Sequence, residues 1–133
     1  MAIIRSYTTI EQSKVLAKIL PLESADMCWQ YQKDRWAGEP DYEEFPQFEH
    51  ATDKRDVPCW SLASLLGVLP SRLFDSTPKR KELYLLPDLD KSYCFYRQFA
   101  IKTKGKIYLL TEGGCLIDAC YEMILRLHEL KML

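Results

Sequence analysis

Three short apolar runs follow one another in the second half of the sequence, and they constrain the fold more than any other feature. They are ELYLL (82–86), SYCFYRQFAI (92–101) and KIYLLT (106–111). The last two are joined by KTKG, in which Gly105 can adopt the positive φ that a short hairpin loop needs. Because consecutive strands with short links pair antiparallel, these runs predict a three-stranded antiparallel sheet.

Three stretches with helical periodicity surround these strands. The first, 8–20, begins with capping-box spacing between Thr8 and Glu11. The second is predicted over 57–69 and the third over 115–131. We therefore expect an α+β fold in which N-terminal, central and C-terminal helices pack on one face of the sheet.

The size and charge of the chain restrict its organisation and its partners. Its 133 residues suit one domain, so residues 1–133 are predicted to fold as a single unit. A net charge of −1 creates no overall field toward nucleic acid, which makes nucleic acid an improbable partner. No run approaches the roughly 20 apolar residues of a membrane span, so no membrane association is expected.

The cysteines indicate compartment and metal content. The chain has five, an odd number without C-x-x-C spacing, and its first residues lack the apolar core of a signal peptide. Reduced thiols in the cytoplasm are therefore expected. Cys115 and Cys120 are spaced so that they point to different sides of the last helix, which argues against zinc. No metal or cofactor is predicted.

An acidic, aromatic stretch over about 33–57 follows a weak strand pattern at 26–32. It holds eight acids and four bases, with four aromatic residues interleaved: Trp36, Tyr42, Phe45 and Phe48. A connection this long is uncommon in a compact domain and is usually functional. The aromatic residues are expected to pack at least partly against the protein's own surface. They are also the first candidates for a partner-binding site.

The final helix carries a second apolar stripe beside its main one. The stripe has the spacing i, i+4, i+7, i+11 and consists of Tyr121, Leu125, His128 and Met132. A surface helix normally has one apolar face, so something is expected to cover the second. The preferred cover is the chain's own 33–57 segment or its first helix. A protein partner or a second copy is the alternative, which leaves a homo-oligomer open.

The stretch DVPCWSLASLL resembles the nucleophile turn of papain-like cysteine proteases at Cys59 and Trp60. A helix N-terminus lowers the pKa of a thiol, which favours a nucleophile. However, Asp53 stands where that family needs an oxyanion-binding glutamine, and His128 leaves no room for a third group after it. A capped helix start at Asp56 with a buried Cys59 explains the same residues, so no catalytic residue is predicted. A thiol-dependent hydrolase using Cys59 is the enzymatic alternative.

Three lysines near the predicted hairpin, Lys102, Lys104 and Lys106, suggest a nucleic-acid-binding module as another alternative. The order of elements resembles a double-stranded-RNA-binding domain. That family needs basic residues at the start of its last helix, and here that stretch reads EGGCLIDA. The lysines alone do not make a phosphate-binding surface.

Three longer stretches, KILPLESADM, DVPCWSLASLLGVLP and LIDACYEMILRLHELKML, resemble a group of small uncharacterised proteins encoded by phages and mobile elements of gut bacteria. The resemblance implies a genomic origin and no particular activity. Together with the acidic, aromatic segment, it favours a non-enzymatic protein that binds an unknown protein partner through that segment or through the exposed sheet.

Overall fold

In the residues that the structure describes, the chain is an α+β protein with two antiparallel sheets, one of two strands and one of four. The computed structural model describes residues 5–73, 81–88, 90–98 and 107–133. Its contacts divide the chain into an N-terminal unit, Ser6–Ser64, and a C-terminal unit, which comprises Arg5 and Leu65–Leu133. The prediction of a single domain stays a prediction.

Helix α1, Ile10–Leu16, begins at a capping box formed by Thr9 and Gln12. The Thr9 hydroxyl accepts a hydrogen bond from the Gln12 amide at 3.1 Å, and the Gln12 side chain accepts one from the Thr9 amide at 3.0 Å. The predicted box of Thr8 and Glu11 has the same spacing, but Thr8 is buried. The helix is therefore shorter at both ends than the predicted one.

Strands β1, Met27–Trp29, and β2, Val57–Cys59, form the two-stranded sheet of the N-terminal unit. The weak strand pattern at 26–32 is confirmed by β1. Helix α1 packs against β2. One core cluster of the unit consists of buried side chains from both strands with three partly buried neighbours: Met27, Trp29, Val57 and Cys59, with Tyr7, Ile10 and Tyr42.

The prediction of a helix from residue 57 is wrong, because β2 occupies its first three positions. A proline fits a strand only where its missing N–H is not needed. Pro58 lies opposite Cys28, and the Cys28 N–H and C=O bond Gln47 instead, at 2.8 and 2.9 Å. Pro58 therefore fits this strand without losing a hydrogen bond, while Val57 and Cys59 are buried on either side of it.

Helix α2, Leu62–Val68, follows directly and is capped by Ser61, whose hydroxyl accepts from the Ser64 amide at 3.2 Å. Asp26 holds Ser61 in place by accepting from its amide at 2.9 Å and from its hydroxyl. Burial opposes ionisation of Asp26, but the hydrogen bonds from Ser61 and Ser64 outweigh it and lower the pKa of Asp26. The predicted cap, Asp56, has another role described below.

The sheet of the C-terminal unit has four antiparallel strands in the order β3–β4–β5–β6, which are Arg72–Leu73, Lys81–Leu86, Ser92–Gln98 and Ile107–Gly113. The predicted three-stranded sheet is therefore wrong by one strand. The sequence predicts a polar, basic connection over 71–81. It gives no sign of strand β3, because two residues are too few to show alternation. Leu73 is nevertheless buried, and the Leu83 amide donates to the Ser71 carbonyl at 3.0 Å.

The sequence predicts that successive side chains of β5 point to opposite faces of the sheet, and the described residues of this strand confirm the prediction. Cys94 and Tyr96 are buried, whereas Tyr93 and Phe95 are half-buried on the other face. Cys94 and Cys120 are both buried where helix α3, Leu116–Glu129, packs against β5 and β6. The main apolar face of α3 is buried as predicted at five positions: Ala119, Cys120, Met123, Ile124 and Leu127.

Gly113 is required where β6 turns into α3. A Cβ atom at this position would lie 2.4 Å from the Cβ of Asp118 and 2.7 Å from the Ala119 amide nitrogen. Only glycine leaves room for that approach. Asp118 in turn forms an ion pair with Arg5, which ties the first described residue of the chain to the start of α3.

Candidate functional site

Residues 30–49 form an antiparallel hairpin, which we call the acidic hairpin. The Gln32 amide donates to the Asp41 carbonyl at 2.7 Å, and the Glu43 amide donates to the Gln30 carbonyl at 3.0 Å. Gly38, with φ of +93°, lies in the turn between these arms. The segment 33–57, which the sequence predicts to be irregular, is thus held by regular backbone hydrogen bonds over part of its length.

Asp56 closes the base of the acidic hairpin. Its carboxylate accepts hydrogen bonds from the backbone amides of Tyr31 at 2.8 Å, Thr52 at 3.0 Å and Asp53 at 3.0 Å. Burial opposes ionisation, but these three amides outweigh it and lower the pKa of Asp56. One ionised side chain therefore fixes the end of the segment to the residues that follow β1.

Tyr42 is the one predicted aromatic residue of this segment that packs inward. Its ring meets the Tyr31 ring edge to face with centroids 5.8 Å apart, and its hydroxyl donates to the Arg55 carbonyl at 2.9 Å. The ammonium of Lys14 lies 5.7 Å from the ring centroid. Burial, with nearby acidic groups, raises the pKa of Tyr42. Tyr42 therefore supports the hairpin from within.

The other three aromatic side chains point into solvent. Trp36 is 79% exposed, Phe48 is 74% exposed and Phe45 is 57% exposed. The prediction that they pack against the protein's own surface is therefore wrong for these three residues. The backbone places them on the hairpin: the Trp36 amide and carbonyl both bond Glu39, and Gln47, beside Phe48, bonds Cys28. These exposed rings therefore project from a backbone that is held by hydrogen bonds.

The charge around these rings is negative. Lys33 and Arg55 form ion pairs with Asp53, and Arg35 pairs with Asp41 at 2.9 Å. Three of the four bases in the segment are therefore paired with two of its own carboxylates. Within the described part of the chain, three carboxylates of the segment have neither a hydrogen bond nor an ion pair: Asp34, Glu43 and Glu44. The exposed surface of the hairpin carries unpaired negative charge.

A cavity of about 300 Å³ lies beside the hairpin in the same unit. Its lining combines five apolar residues with three polar ones: Leu22, Ala25, Met27, Ala51 and Pro58, with Glu23, Glu49 and His50. The sequence analysis assigned no role to these residues. Their spacing along the chain gives no signal, because the fold brings together three separate segments.

Cys59 is buried, as predicted, but in β2 rather than in a helix. Its sulfur lies 3.5 Å from the Thr8 carbonyl oxygen and 3.5 Å from the Thr8 hydroxyl. Burial raises the pKa of the Cys59 thiol despite hydrogen bonds from Thr8 and Ser13. A nucleophilic cysteine needs the opposite shift and a base within reach. The arrangement does not favour thiol catalysis.

The second stripe of α3 lies in the C-terminal unit. Tyr121, Leu125 and Met132 are half-buried, and His128 is exposed. The stripe is therefore less open than the aromatic residues of the acidic hairpin. The hairpin lysines Lys102, Lys104 and Lys106 lie outside the described residues.

The outward face of the four-stranded sheet corresponds to the exposed sheet that the sequence offers as the alternative binding surface. Tyr84, Phe95 and Leu110 are register partners across β4, β5 and β6. The Tyr84 and Phe95 rings stack with centroids 5.5 Å apart and an interplanar angle of 10°. Tyr84, Leu110 and the neighbouring Leu86 are exposed. In the sequence, both faces of the second apolar run, 92–101, carry aromatic residues, and this pattern indicates such an apolar outward face.

Metal sites and membrane-spanning helices are two further features that would bear on function. In the ranges that the structure describes, no three His, Cys, Asp or Glu side chains are grouped so that they could hold a metal ion. No helix within those ranges has the length and apolarity needed to cross a membrane.

Comparison with known proteins supplies no relative that could identify the site. No protein-family model, no curated protein and no solved structure matches this chain.

Proposed function

We propose that the chain is a small non-enzymatic binding protein of a phage or mobile element, acting in the cytoplasm, whose acidic hairpin binds a basic segment of a protein partner. The observation that carries this proposal is the exposure of Trp36, Phe45 and Phe48 on one hydrogen-bonded hairpin. The free thiols of all five cysteines are compatible with a reducing compartment.

Exposed aromatic rings on a fixed backbone are suited to binding. A buried tryptophan or phenylalanine removes a large apolar area from water, and such residues dominate the energetics of many interfaces. Binding costs less conformational entropy where the backbone is already held in place. Here the Asp56 carboxylate and the backbone hydrogen bonds between Cys28 and Gln47 hold it. The hairpin can therefore bind without first folding.

Charge complementarity selects the kind of partner. Asp34, Glu43 and Glu44 are unpaired, so a partner rich in lysine and arginine would gain favourable electrostatic interactions as its apolar groups cover the rings. The same charge repels phosphate. This supports a protein partner over the nucleic-acid alternative and gives no support to hydrolysis at Cys59.

A peptide array that varies net charge and apolar content tests the proposal on the full chain. We expect basic peptides with apolar residues to bind, and Trp36→Ala and Phe48→Ala each to weaken the best of them by about tenfold or more. Tyr84→Ala, which removes an exposed ring in the other unit, is the matched control and should leave affinity unchanged. Equal binding of acidic and basic peptides would contradict the proposal.

The outward sheet face is a second candidate binding surface, favoured by its continuous apolar row. The same array distinguishes the two. If Tyr84→Ala weakens binding and Trp36→Ala does not, the sheet is the binding surface. A gel shift with duplex RNA at nanomolar protein, lost on changing Lys102, Lys104 and Lys106 to alanine, would instead support the nucleic-acid alternative.

A further inference from the structure

The cavity beside the acidic hairpin has a mostly apolar lining that also carries two carboxylates. Leu22, Met27 and Pro58 contribute apolar surface, while Glu23 and Glu49 contribute carboxylates. In the described part of the chain, neither lysine nor arginine lines this cavity. Glu23 has neither a hydrogen bond nor an ion pair there. Among the described lining residues, the only ionisable base is His50.

The two carboxylates come from different elements. Glu23 belongs to the 3₁₀ helix Leu22–Ser24, and Glu49 is the last residue of the acidic hairpin, next to the exposed Phe48. One oxygen of Glu49 accepts from the Gln30 side chain at 2.6 Å, which fixes the carboxylate and leaves its second oxygen for a ligand. Glu23 and Glu49 therefore both line the cavity with carboxylate oxygens that can accept hydrogen bonds.

These features fit a long cationic side chain. The methylene groups of such a side chain lose contact with water against apolar walls while its charged end remains at the rim. A guanidinium has five donors in a planar fork and can serve two carboxylates at once, and its faces are weakly hydrated. An ammonium is a compact, strongly hydrated charge, which suits an apolar recess less well.

We infer that this cavity binds an arginine side chain of the basic partner, with Glu23 and Glu49 accepting hydrogen bonds from the guanidinium. The inference rests on the proposed function and deepens it by naming the residue that the partner inserts. Phe48 and its neighbouring Glu49 join the cavity to the acidic hairpin in sequence. The arginine is expected to lie next to the apolar residues that cover the rings.

The small molecule N-acetyl-arginine methylamide tests the cavity directly, without any partner. Titrated into the full chain, it is expected to shift the NMR signals of the Met27, Ala25 and Ala51 methyl groups, with a Kd on the order of 1–10 mM. The lysine analogue is expected to bind more weakly. The citrulline analogue, which keeps the shape but lacks the charge, is expected to bind weakest.

Variants locate the binding and control for folding. Glu23→Gln and Glu49→Gln should each weaken the arginine probe by about threefold or more, whereas Glu122→Gln, an equal charge change at an exposed position of α3, should not. Unchanged signals at these methyl groups, equal effects of all three variants, or tighter binding of the lysine analogue would each overturn the inference. The peptide array reports separately on the proposed function, because basic peptides could bind the rings without using this cavity.

Discussion

The acidic hairpin and the outward face of the four-stranded sheet both expose apolar side chains, but in different surroundings. On the sheet, Tyr84, Phe95 and Leu110 contact one another across three strands, so each shields part of its neighbour from water. On the hairpin, Trp36, Phe45 and Phe48 are mostly exposed, and three carboxylates of the same hairpin are unpaired among the described residues. Part of the exposed sheet row therefore stabilises the fold, whereas the hairpin rings contribute little to it.

The cavities of the two units differ in the charge of the residues that line them. The N-terminal cavity is lined by Glu23 and Glu49 together with apolar residues. The C-terminal unit has a cavity of about 460 Å³ lined by Arg72, Lys131 and apolar residues. The comparison teaches that apolar exposure alone does not identify a binding surface. Unpaired charge beside poorly shielded rings indicates a binding surface more specifically. Of the two surfaces compared, the hairpin combines both features.

The largest expected effect lies in the core that the sheet and α3 share. Leu127→Ala should lower the free energy of unfolding by about 2–5 kcal/mol, because it empties a buried position. Leu130→Ala, at the exposed residue that directly follows this helix, is the control and should change the free energy of unfolding by less than about 0.5 kcal/mol. Denaturant titration of both variants makes the measurement. Equal losses would mean that the apolar face of α3 is misassigned.

The next effect concerns the anchor of the hairpin. Asp56→Asn should cost about 1–3 kcal/mol at neutral pH, because one amide oxygen replaces a carboxylate that accepts three amides. Asp34→Asn, without such contacts, should cost nothing measurable.

The pH dependence of the Asp56 effect has a defined sign. Its pKa in the folded protein is lowered, so its stabilisation is complete above the unfolded value of about 3.9 and is lost as pH falls through the folded pKa. The difference between wild type and Asp56→Asn should therefore shrink below about pH 4. A difference that stays constant from pH 7 to pH 3 would show that Asp56 does not act through its charge.

A smaller effect separates the two exposed surfaces. Tyr84→Ala removes one ring of the stacked pair with Phe95 and should cost about 0.5–1.5 kcal/mol beyond the loss of apolar contact. Thermal unfolding, compared with the conservative variant Tyr84→Phe, measures it. No loss in the alanine variant would mean that the sheet row contributes as little to folding as the hairpin rings.

The smallest expected effect completes the comparison. Trp36→Ala should change the free energy of unfolding by less than about 0.5 kcal/mol, because the ring is 79% exposed. A loss above about 1 kcal/mol would show that Trp36 is buried by the protein itself, and the hairpin would then lose its main claim to be a binding surface.

Local sequence patterns predicted the elements that depend on near neighbours. Three strands of the larger sheet and helix α3 follow from alternation and periodicity over residues 81–129. Strand β2 escaped prediction because Val57 and Cys59 also fit the apolar side of a helix, and its partner β1 lies far away in the sequence. Strand β3 is too short to carry any periodic signal.

The candidate site was predictable in part for the same reason. The acidic and aromatic composition indicated the segment, and Trp36, Phe45 and Phe48 were named from it. Their exposure depends on where the hairpin turns and on which carboxylate closes it, and neither Asp56 nor the cavity beside Glu49 shows a pattern in one dimension. Side chains that meet only through the fold cannot be paired from spacing.

Fluorine NMR of the chain labelled with 5-fluorotryptophan tests the central claim most directly, because its three tryptophans give internal controls. Trp29 and Trp60 are buried and hydrogen-bonded, and Trp36 is exposed. On adding the tightest-binding basic peptide from the array, the Trp36 signal should shift to saturation while the other two stay in place. If no basic peptide binds, or if saturation leaves the Trp36 signal unchanged, the acidic hairpin is not the binding surface.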